Sequence, residues 1–274
     1  MAEWGNGRGP RDWALVERFL LEDLNDRRRA KRWQWIRRGL FIVVVALFAY
    51  RTIGSMGTES FGAHTAVITI DGAIAADMPA NADSLIDALD SAFSATEAKA
   101  VVLRINSPGG SPVQADEVYR EIRRQRLIHP DKPLYAVISD MGASGAYYIA
   151  VAADKIYVNP SSLVGSIGVI MPGFGVPELL QKLGVEDRTL AAGAHKNLLS
   201  PSKPVNEIEQ AHVQGVLDAV HRQFIAAVKA GRGERLKVND DTFSGYFWSG
   251  DQAITLGLAD DIGSLHTVAR DVVK

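Results

Sequence analysis

The chain from residue 65 onward alternates between two patterns of apolar and polar positions. Four short, β-branched runs are typical of buried strands. They are TAVITI (65–70), AVVLRI (100–105), LYAVIS (134–139) and KIYV (155–158). Three segments instead repeat apolar residues at helical spacing, namely Ala80–Phe93, Pro112–Arg126 and Val205–Lys229. Strands that alternate with helices of this length predict an α/β fold with a parallel sheet.

The third helical segment predicts one long helix with an apolar face toward the core. The residues expected on that face are Ile208, Val216, Val220, Phe224, Ile225 and Val228. No internal repeat or low-complexity tract interrupts the pattern.

An uncharged run, GLFIVVVALFAY, occupies residues 39–50. Twelve helical residues span only about 18 Å, against about 30 Å of membrane hydrocarbon. Extending the run to Met56 adds only Arg51, whose long side chain can reach the interface. A transmembrane anchor at 36–56 is therefore expected. A buried core helix or a signal-peptide core is the alternative, but the long N-terminal segment and the lack of a small-residue cleavage site favour an uncleaved anchor.

Charge is distributed unevenly about this run. Residues 1–38 carry ten Lys and Arg against six Asp and Glu, and a basic flank predicts a cytoplasmic N-terminus. We expect residues 1–35 to form a charged cytoplasmic segment, within which 12–35 form a charged helix that lies against anionic membrane lipid. After the anchor, 57–64 is expected to be a linker and 65–274 a domain outside the cytoplasm.

Composition excludes several classes of function. The chain has 274 residues, 47% of them hydrophobic, and a formal net charge of −2, so it has no overall basic field for nucleic acid. It contains no cysteine, which excludes disulfides, thiolate metal sites and cysteine nucleophiles.

Two glycine-rich stretches follow predicted strands, NSPGGS (106–111) and MGASGA (141–146). In parallel α/β sheets, sites form at the carboxyl ends of strands, and two such turns side by side can present backbone amides to an oxyanion. Ser144 in the second turn is a candidate nucleophile. Close helix–strand packing with a serine N-cap is the alternative explanation.

A serine nucleophile needs a base. None of the six histidines lies in an apolar turn beside a carboxylate. Lys196 lies in LAAGAHKNLLSP (190–201), among small and apolar residues and with no acid from Thr189 to Val205. It could act as a base if its amine were desolvated, although an ordinary loop lysine explains it as well.

Five segments, in this order, resemble the bacterial signal peptide peptidase A family in its short, single-domain form. They are VITIDGAI (67–74), VVLRINSPGGS (101–111), ISDMGASGAYYIAVAADKIYVNPSSLVGSIGV (138–169), GAHKNLLSP (193–201) and SGDQAITLGLADDIG (249–263). Two positions depart from the family pattern. GAYY stands where GGYY is frequent, and His195 precedes the lysine where the family tends to have tyrosine. His195 therefore keeps a serine–histidine pair open.

The resemblance implies a role for each matching residue. Ser144 matches the nucleophile and Lys196 the general base, while Ser166 in GSIG matches a serine that orients the lysine. The amides of Gly110 and Gly145 match the oxyanion hole. The implied fold is the Clp protease and crotonase type, a spiral of strand–strand–helix units, here preceded by the transmembrane helix.

The resemblance also implies an activity and a location. It implies hydrolysis of remnant signal peptides by a protein of the bacterial inner membrane with a periplasmic catalytic domain, without metal or cofactor. Family members form rings or domes in which neighbouring units supply serine and lysine. Extended peptide is expected along the strand edges, over an apolar floor. The candidate floor residues are Tyr147, Leu163, Ile167 and Val169.

Three other functions remain open from the sequence. A stomatin-associated membrane protease would use the same serine–lysine chemistry. A crotonase-like acyl-CoA enzyme shares the fold and its two glycine-rich turns, but needs neither an anchor nor the lysine segment. A non-catalytic membrane scaffold would result if serine and lysine never meet.

Overall fold

The computed structural model describes Arg37, residues 39–45 and residues 62–273. The chain divides into two units, Met1–Phe61 and Gly62–Lys274. In the first unit, residues 39–45 are helical and exposed.

The predicted cytoplasmic segment, most of the predicted anchor at 36–56 and most of the predicted linker lie outside the described residues. None of the helices that are described is both long and apolar enough to span a membrane. The anchor therefore stays a prediction.

The second unit is an α/β structure around one sheet. Its strands are β1 (His64–Asp71), β2 (Ala98–Ser107), β3 (Leu134–Ala143), β4 (Lys155–Val158), β5 (Leu163–Gly165), β6 (Phe247–Ser249) and β7 (Asp261–Ile262). Its helices are α1 (Ala82–Ser94), α2 (Pro112–Ile128), α3 (Gly145–Ala150), α4 (Pro177–Lys182), α5 (Glu207–Arg232), α6 (Gly250–Thr255) and α7 (Leu265–Thr267). A 3₁₀ turn covers Gly233–Arg235 and a π-helical segment covers Val268–Val273.

The sheet is mostly parallel, in the order β1-β2-β3-β4-β7. Strand β3 changes partner along its length, because its first half pairs with β4 and its last residues pair with β5. Strand β6 adds to β5 in the antiparallel direction. The predicted α/β class with a parallel sheet is confirmed, and the change of partner brings the ends of β3 and β5 together.

Each of the three long helices begins at a polar residue whose side chain caps its first turn. The side chain of Asn81 accepts a hydrogen bond from the Ser84 amide at the start of α1, Ser111 caps α2 and Asn206 caps α5. Such caps satisfy amides that have no partner within the helix. The predicted helices are confirmed within three residues at each end.

Helix α3 is the centre of the core. All six of its residues are buried, and the Tyr148 ring lies 5.0 Å from Phe224 of α5 and 5.2 Å from Tyr119 of α2. The small residues before Tyr147 allow the helix to start directly at the end of strand β3, because no bulky side chain intervenes.

The predicted inward face of α5 is wrong in its first half. Ile208 is 75% exposed and Val216 is 49% exposed, whereas Phe224 and Val228 are buried. Helical spacing gives the side of the helix on which apolar residues lie, but the length over which that side meets a partner depends on the neighbouring elements. Only the second half of α5 packs against the core.

Candidate active site

Ser144 occupies a constrained turn between β3 and α3. Its backbone has φ 51° and ψ −125°, outside the usual regions for a residue other than glycine. The Ser144 amide donates to the carbonyl of Gly165 at 2.8 Å, and its carbonyl accepts from the Tyr148 amide at 3.0 Å. Its hydroxyl does not cap α3, so the N-cap explanation is wrong. Strained backbone costs about 1–3 kcal/mol and is concentrated at functional sites.

Ser166 lies beside Ser144 because of the sheet register. Ala143 pairs with Gly165 in parallel, so each serine is the first residue after the paired ends of β3 and β5. Ser166 also has a positive φ, of 50°, and its amide donates to the backbone carbonyl of Tyr246 at 2.8 Å. Both serines line the same cavity.

The first glycine turn packs directly against the second. A Cβ on Gly109 would lie 2.6 Å from the Gly145 nitrogen and 2.8 Å from the Ser144 Cβ, so only glycine fits there. A Cβ on Gly110 would overlap the carbonyl of Ile74. The amides of Gly110 and Gly145 have no hydrogen-bond acceptor among the residues that the structure describes. Two free amides beside a serine hydroxyl, one from each glycine turn, are what an oxyanion hole requires.

The cavity beside Ser144 has a volume of about 380 Å³ and lies between α2, α3 and α5. Its walls include Pro108, Ala115, Tyr148, Val169 and Phe224. Gly110, Gly145 and Ser166 line it as well. The pocket is therefore largely apolar, with the polar groups of the turn at one side, as in many substrate sites.

The apolar floor predicted from the sequence is wrong for three of its four residues. Val169 lines the cavity. Tyr147 and Ile167 are fully buried and Leu163 is half-buried, all three away from the cavity. The Tyr147 hydroxyl donates to the carbonyl of Leu258 at 2.7 Å, which directs the ring into the core.

The structure does not bring Lys196 to Ser144 within one chain. Lys196 is exposed and is absent from the cavity lining. Its neighbour His195 is also outside the cavity, and its Nδ1 lies 3.1 Å from the Glu209 Oε1. Neither the serine–lysine nor the serine–histidine pair is therefore assembled by the described residues alone.

The residues from 170 to 205, which include Lys196, form a segment that we call the rim segment. It carries a series of exposed apolar side chains, among them Ile170 (83% exposed), Phe174 (83%) and Leu190 (98%). Several large apolar side chains exposed within one segment are a signal of an interaction site.

One charged residue of the cavity, Asp116, is not among the site residues predicted from the sequence. Its Oδ1 accepts from the Tyr148 hydroxyl at 2.9 Å. Burial, together with this hydrogen bond and the charge of Asp116, raises the pKa of Tyr148, so the phenol stays protonated. The position of Asp116 one turn after the glycine turn was the available signal.

No group of three or more His, Asp and Glu side chains within the described part of the chain is arranged to hold a metal ion.

Comparison with known proteins identifies the family to which the chain belongs. Residues 127–274, more than half of the chain, match the model of Peptidase family S49. The chain belongs to this family. Ser144, Ser166 and Lys196 all lie within the matched residues, and the mostly parallel α/β sheet fits the Clp and crotonase type of fold.

Individual relatives agree with the S49 assignment. The chain is 35% identical over 165 residues to the putative signal peptide peptidase SppA of Enterococcus faecium, which covers 60% of this chain and 47% of the relative. It is 33% identical over 165 residues to the putative protease slr0021 of Synechocystis sp., covering 60% of this chain and 58% of the relative. The resemblance to the signal peptide peptidase A family is confirmed.

A third relative has a different name. The chain is 43% identical over 182 residues to the Na(+)/H(+) antiporter NhaA of Brucella abortus (strain 2308), covering 66% of this chain but only 25% of the relative. The chain thus spans between one quarter and three fifths of the lengths of these three relatives.

Proposed function

We propose that this S49 chain is a serine endopeptidase in which Ser144 is the nucleophile, Lys196 the general base and Ser166 the residue that orients the lysine. The observation that carries the proposal is the turn at Ser144, where a strained serine shares an apolar cavity with the free amides of Gly110 and Gly145. Membership in a peptidase family supports the same reaction class.

The chemistry follows from these groups. Neutral Lys196 takes the Ser144 proton while Oγ attacks the carbonyl carbon of the scissile bond. The oxyanion accepts hydrogen bonds from Gly110 and Gly145. The tetrahedral intermediate collapses to an acyl-enzyme, and the leaving amine takes the proton from Lys196. Water, deprotonated by Lys196, then attacks the ester, and Ser144 recovers its proton as the acid product leaves.

A neighbouring copy of the chain supplies Lys196 in this proposal. The exposure of Lys196, and its position in an apolar rim segment, support an interface that places it over the cavity of another copy. Burial at such an interface would also favour the neutral amine that the reaction requires, because desolvation disfavours the ammonium. Activity therefore requires a ring or dome of subunits.

The substrate proposed is the remnant signal peptide left in the membrane after secretion. The cavity of about 380 Å³ beside Ser144, with apolar walls and one carboxylate, has room for one long side chain of such a peptide. We propose the bacterial inner membrane as the location, with one transmembrane helix at 36–56, the N-terminus in the cytoplasm and the peptidase domain in the periplasm. No metal or cofactor is required by the steps above.

The nucleophile is tested with Ser144→Ala in the full chain. We expect loss of peptide hydrolysis and of covalent labelling by a fluorophosphonate, with an unchanged melting temperature, since one oxygen is removed. Ser161→Ala is the matched control, because Ser161 is exposed and does not line the cavity. Wild-type turnover in Ser144→Ala would remove Ser144 from the mechanism.

The shared site is tested by mixing two inactive variants, Ser144→Ala and Lys196→Ala. Mixed assemblies contain interfaces that pair an intact Ser144 with an intact Lys196, so we expect part of the activity to return. Co-assembly is verified with two affinity tags. Co-assembly without recovered activity would contradict a shared site.

A further inference from the structure

Asp116 is the only residue with a formal charge among the described residues that line the cavity beside Ser144. The other polar side chains there, Ser144, Ser166, Tyr148 and Gln223, are neutral in their ordinary states. A carboxylate in a largely apolar pocket has a strong effect on ligand choice, because few other groups compete with it.

The carboxylate of Asp116 is held at a defined position by two partners. Its Oδ1 accepts from the Tyr148 hydroxyl at 2.9 Å, and its Oδ2 accepts from the Arg120 Nε at 2.6 Å. An ionised carboxylate has about four acceptor sites. Two of them therefore remain for a ligand.

Arg120 neutralises the pocket only in part. Its side chain is 77% exposed, and it is not part of the cavity lining. An exposed ion pair between residues four apart on a helix is weak, because water screens it. Asp116 thus presents negative charge to the cavity while its arginine partner remains in solvent.

The lining of the cavity suits a long side chain with a charged end. Apolar walls, including Pro108, Ala115 and Phe224, extend alongside Asp116, and Ser144 lies on the same cavity. Methylene groups of lysine or arginine can pack on such walls while the charged end reaches a carboxylate. The nearest side chain to Ser144 in a bound peptide belongs to the residue whose carbonyl is attacked, here called P1.

We propose that Asp116 makes this cavity selective for a lysine or arginine side chain at P1 over an uncharged chain of equal length. This inference rests on the proposed peptidase function. An uncharged chain that reached the same depth would cover the carboxylate without giving it a partner, which is unfavourable. A glutamate at P1 would be repelled by Asp116.

The test uses fluorogenic peptides that differ only at P1, with lysine, norleucine or glutamate, and the full-length protein. We expect kcat/KM to be highest for lysine and lowest for glutamate. Asp116→Asn keeps the shape and removes the charge, so kcat/KM for P1 lysine should fall by about 10- to 100-fold, the usual effect of losing a charged hydrogen-bond partner. The value for norleucine should rise, because Asp116→Asn removes the charge that an uncharged side chain would cover.

Glu117→Gln is the matched control. It makes the same change of charge at the next residue of α2, on an exposed side chain outside the cavity, and should leave both kcat/KM values unchanged. Arg120→Gln removes the competing cation and should raise the preference for lysine. This second variant measures the same selectivity in case Asp116→Asn folds poorly.

The outcomes distinguish this inference from the function beneath it. Ser144-dependent hydrolysis with no preference for P1 lysine, or a preference that survives in folded Asp116→Asn, would overturn the role of Asp116 and leave the peptidase intact. Absence of any Ser144-dependent hydrolysis would overturn both proposals.

Discussion

Replacing Gly109 with alanine should inactivate the protein without unfolding it. The added methyl group would lie 2.6 Å from the Gly145 nitrogen, 2.7 Å from the Ala143 oxygen and 2.8 Å from the Ser144 Cβ. These distances are about 0.6 to 0.8 Å shorter than ordinary van der Waals contacts. All three atoms belong to the turn that carries the candidate nucleophile, so the turn must move to accommodate the methyl group.

The size of the effect follows from the geometry. A displacement of about 1 Å at a reacting group can cost roughly 10²-fold in rate, and loss of one oxyanion donor costs about 10²–10³-fold. We therefore expect Gly109→Ala to lower kcat/KM at least about 100-fold. The positive φ of 92° at Gly109 adds about 1–2 kcal/mol of strain for any residue with a Cβ, which reduces the free energy of unfolding.

Gly72→Ala separates strain from displacement. Gly72 also has a positive φ, of 75°, but a Cβ there would meet nothing within 4 Å. The Gly72→Ala variant should lose about as much free energy of unfolding as Gly109→Ala while it keeps its activity. The assay is kcat/KM on a fluorogenic peptide well below the melting temperature of each variant, with folding checked by circular dichroism. Folded Gly109→Ala with kcat/KM within about threefold of wild type would refute the reasoning, and so would an equal loss in Gly72→Ala.

Three further predictions follow. Burial of Asp260 opposes its ionisation, but hydrogen bonds from Arg232 and the Ile156 amide outweigh burial and lower the Asp260 pKa. Asp260→Asn would leave the Arg232 guanidinium, whose side chain is 1% exposed, buried without its charged partner. We expect this variant to lower the free energy of unfolding by about 3–5 kcal/mol at neutral pH. A lowered carboxyl pKa stabilises the fold at pH values above the pKa of the unfolded chain, near 3.9, and this stabilisation is lost as the pH falls. The difference in free energy of unfolding between wild type and Asp260→Asn, measured in urea, should therefore shrink below about pH 4. A difference that stays constant with pH would contradict this. Lys196→Arg should be inactive at every pH because guanidinium stays protonated, and peptide hydrolysis by folded Lys196→Arg would exclude the lysine as base. In spheroplasts, added protease should cleave beyond residue 61 but not the N-terminal segment, and the reverse pattern would invert the proposed topology.

The local pattern of apolar and polar residues was sufficient to predict the strands and helices that have their own hydrophobic period. Strands β1 to β4 and helices α1, α2 and α5 could be predicted because each repeats apolar residues over at least one full period, and polar caps such as Asn81 and Ser111 mark the helix starts. Strands of two or three residues, β5 to β7, could not, because they are defined by pairing with distant segments rather than by their own sequence. The neighbouring positions of Ser144 and Ser166 depend on one such strand.

The candidate nucleophile and its glycine turns could be predicted from the sequence, because small residues around a serine at a strand end have a local cause: a close approach of backbones. The cavity could not. Asp116 lines the cavity beside Tyr148, which lies 32 residues later, and three of the four residues expected in its floor do not line it. Lys196 remains apart from Ser144 within one chain for the same physical reason. A local pattern records which residues are suited to a site, whereas only the packing of distant elements decides which of them share it.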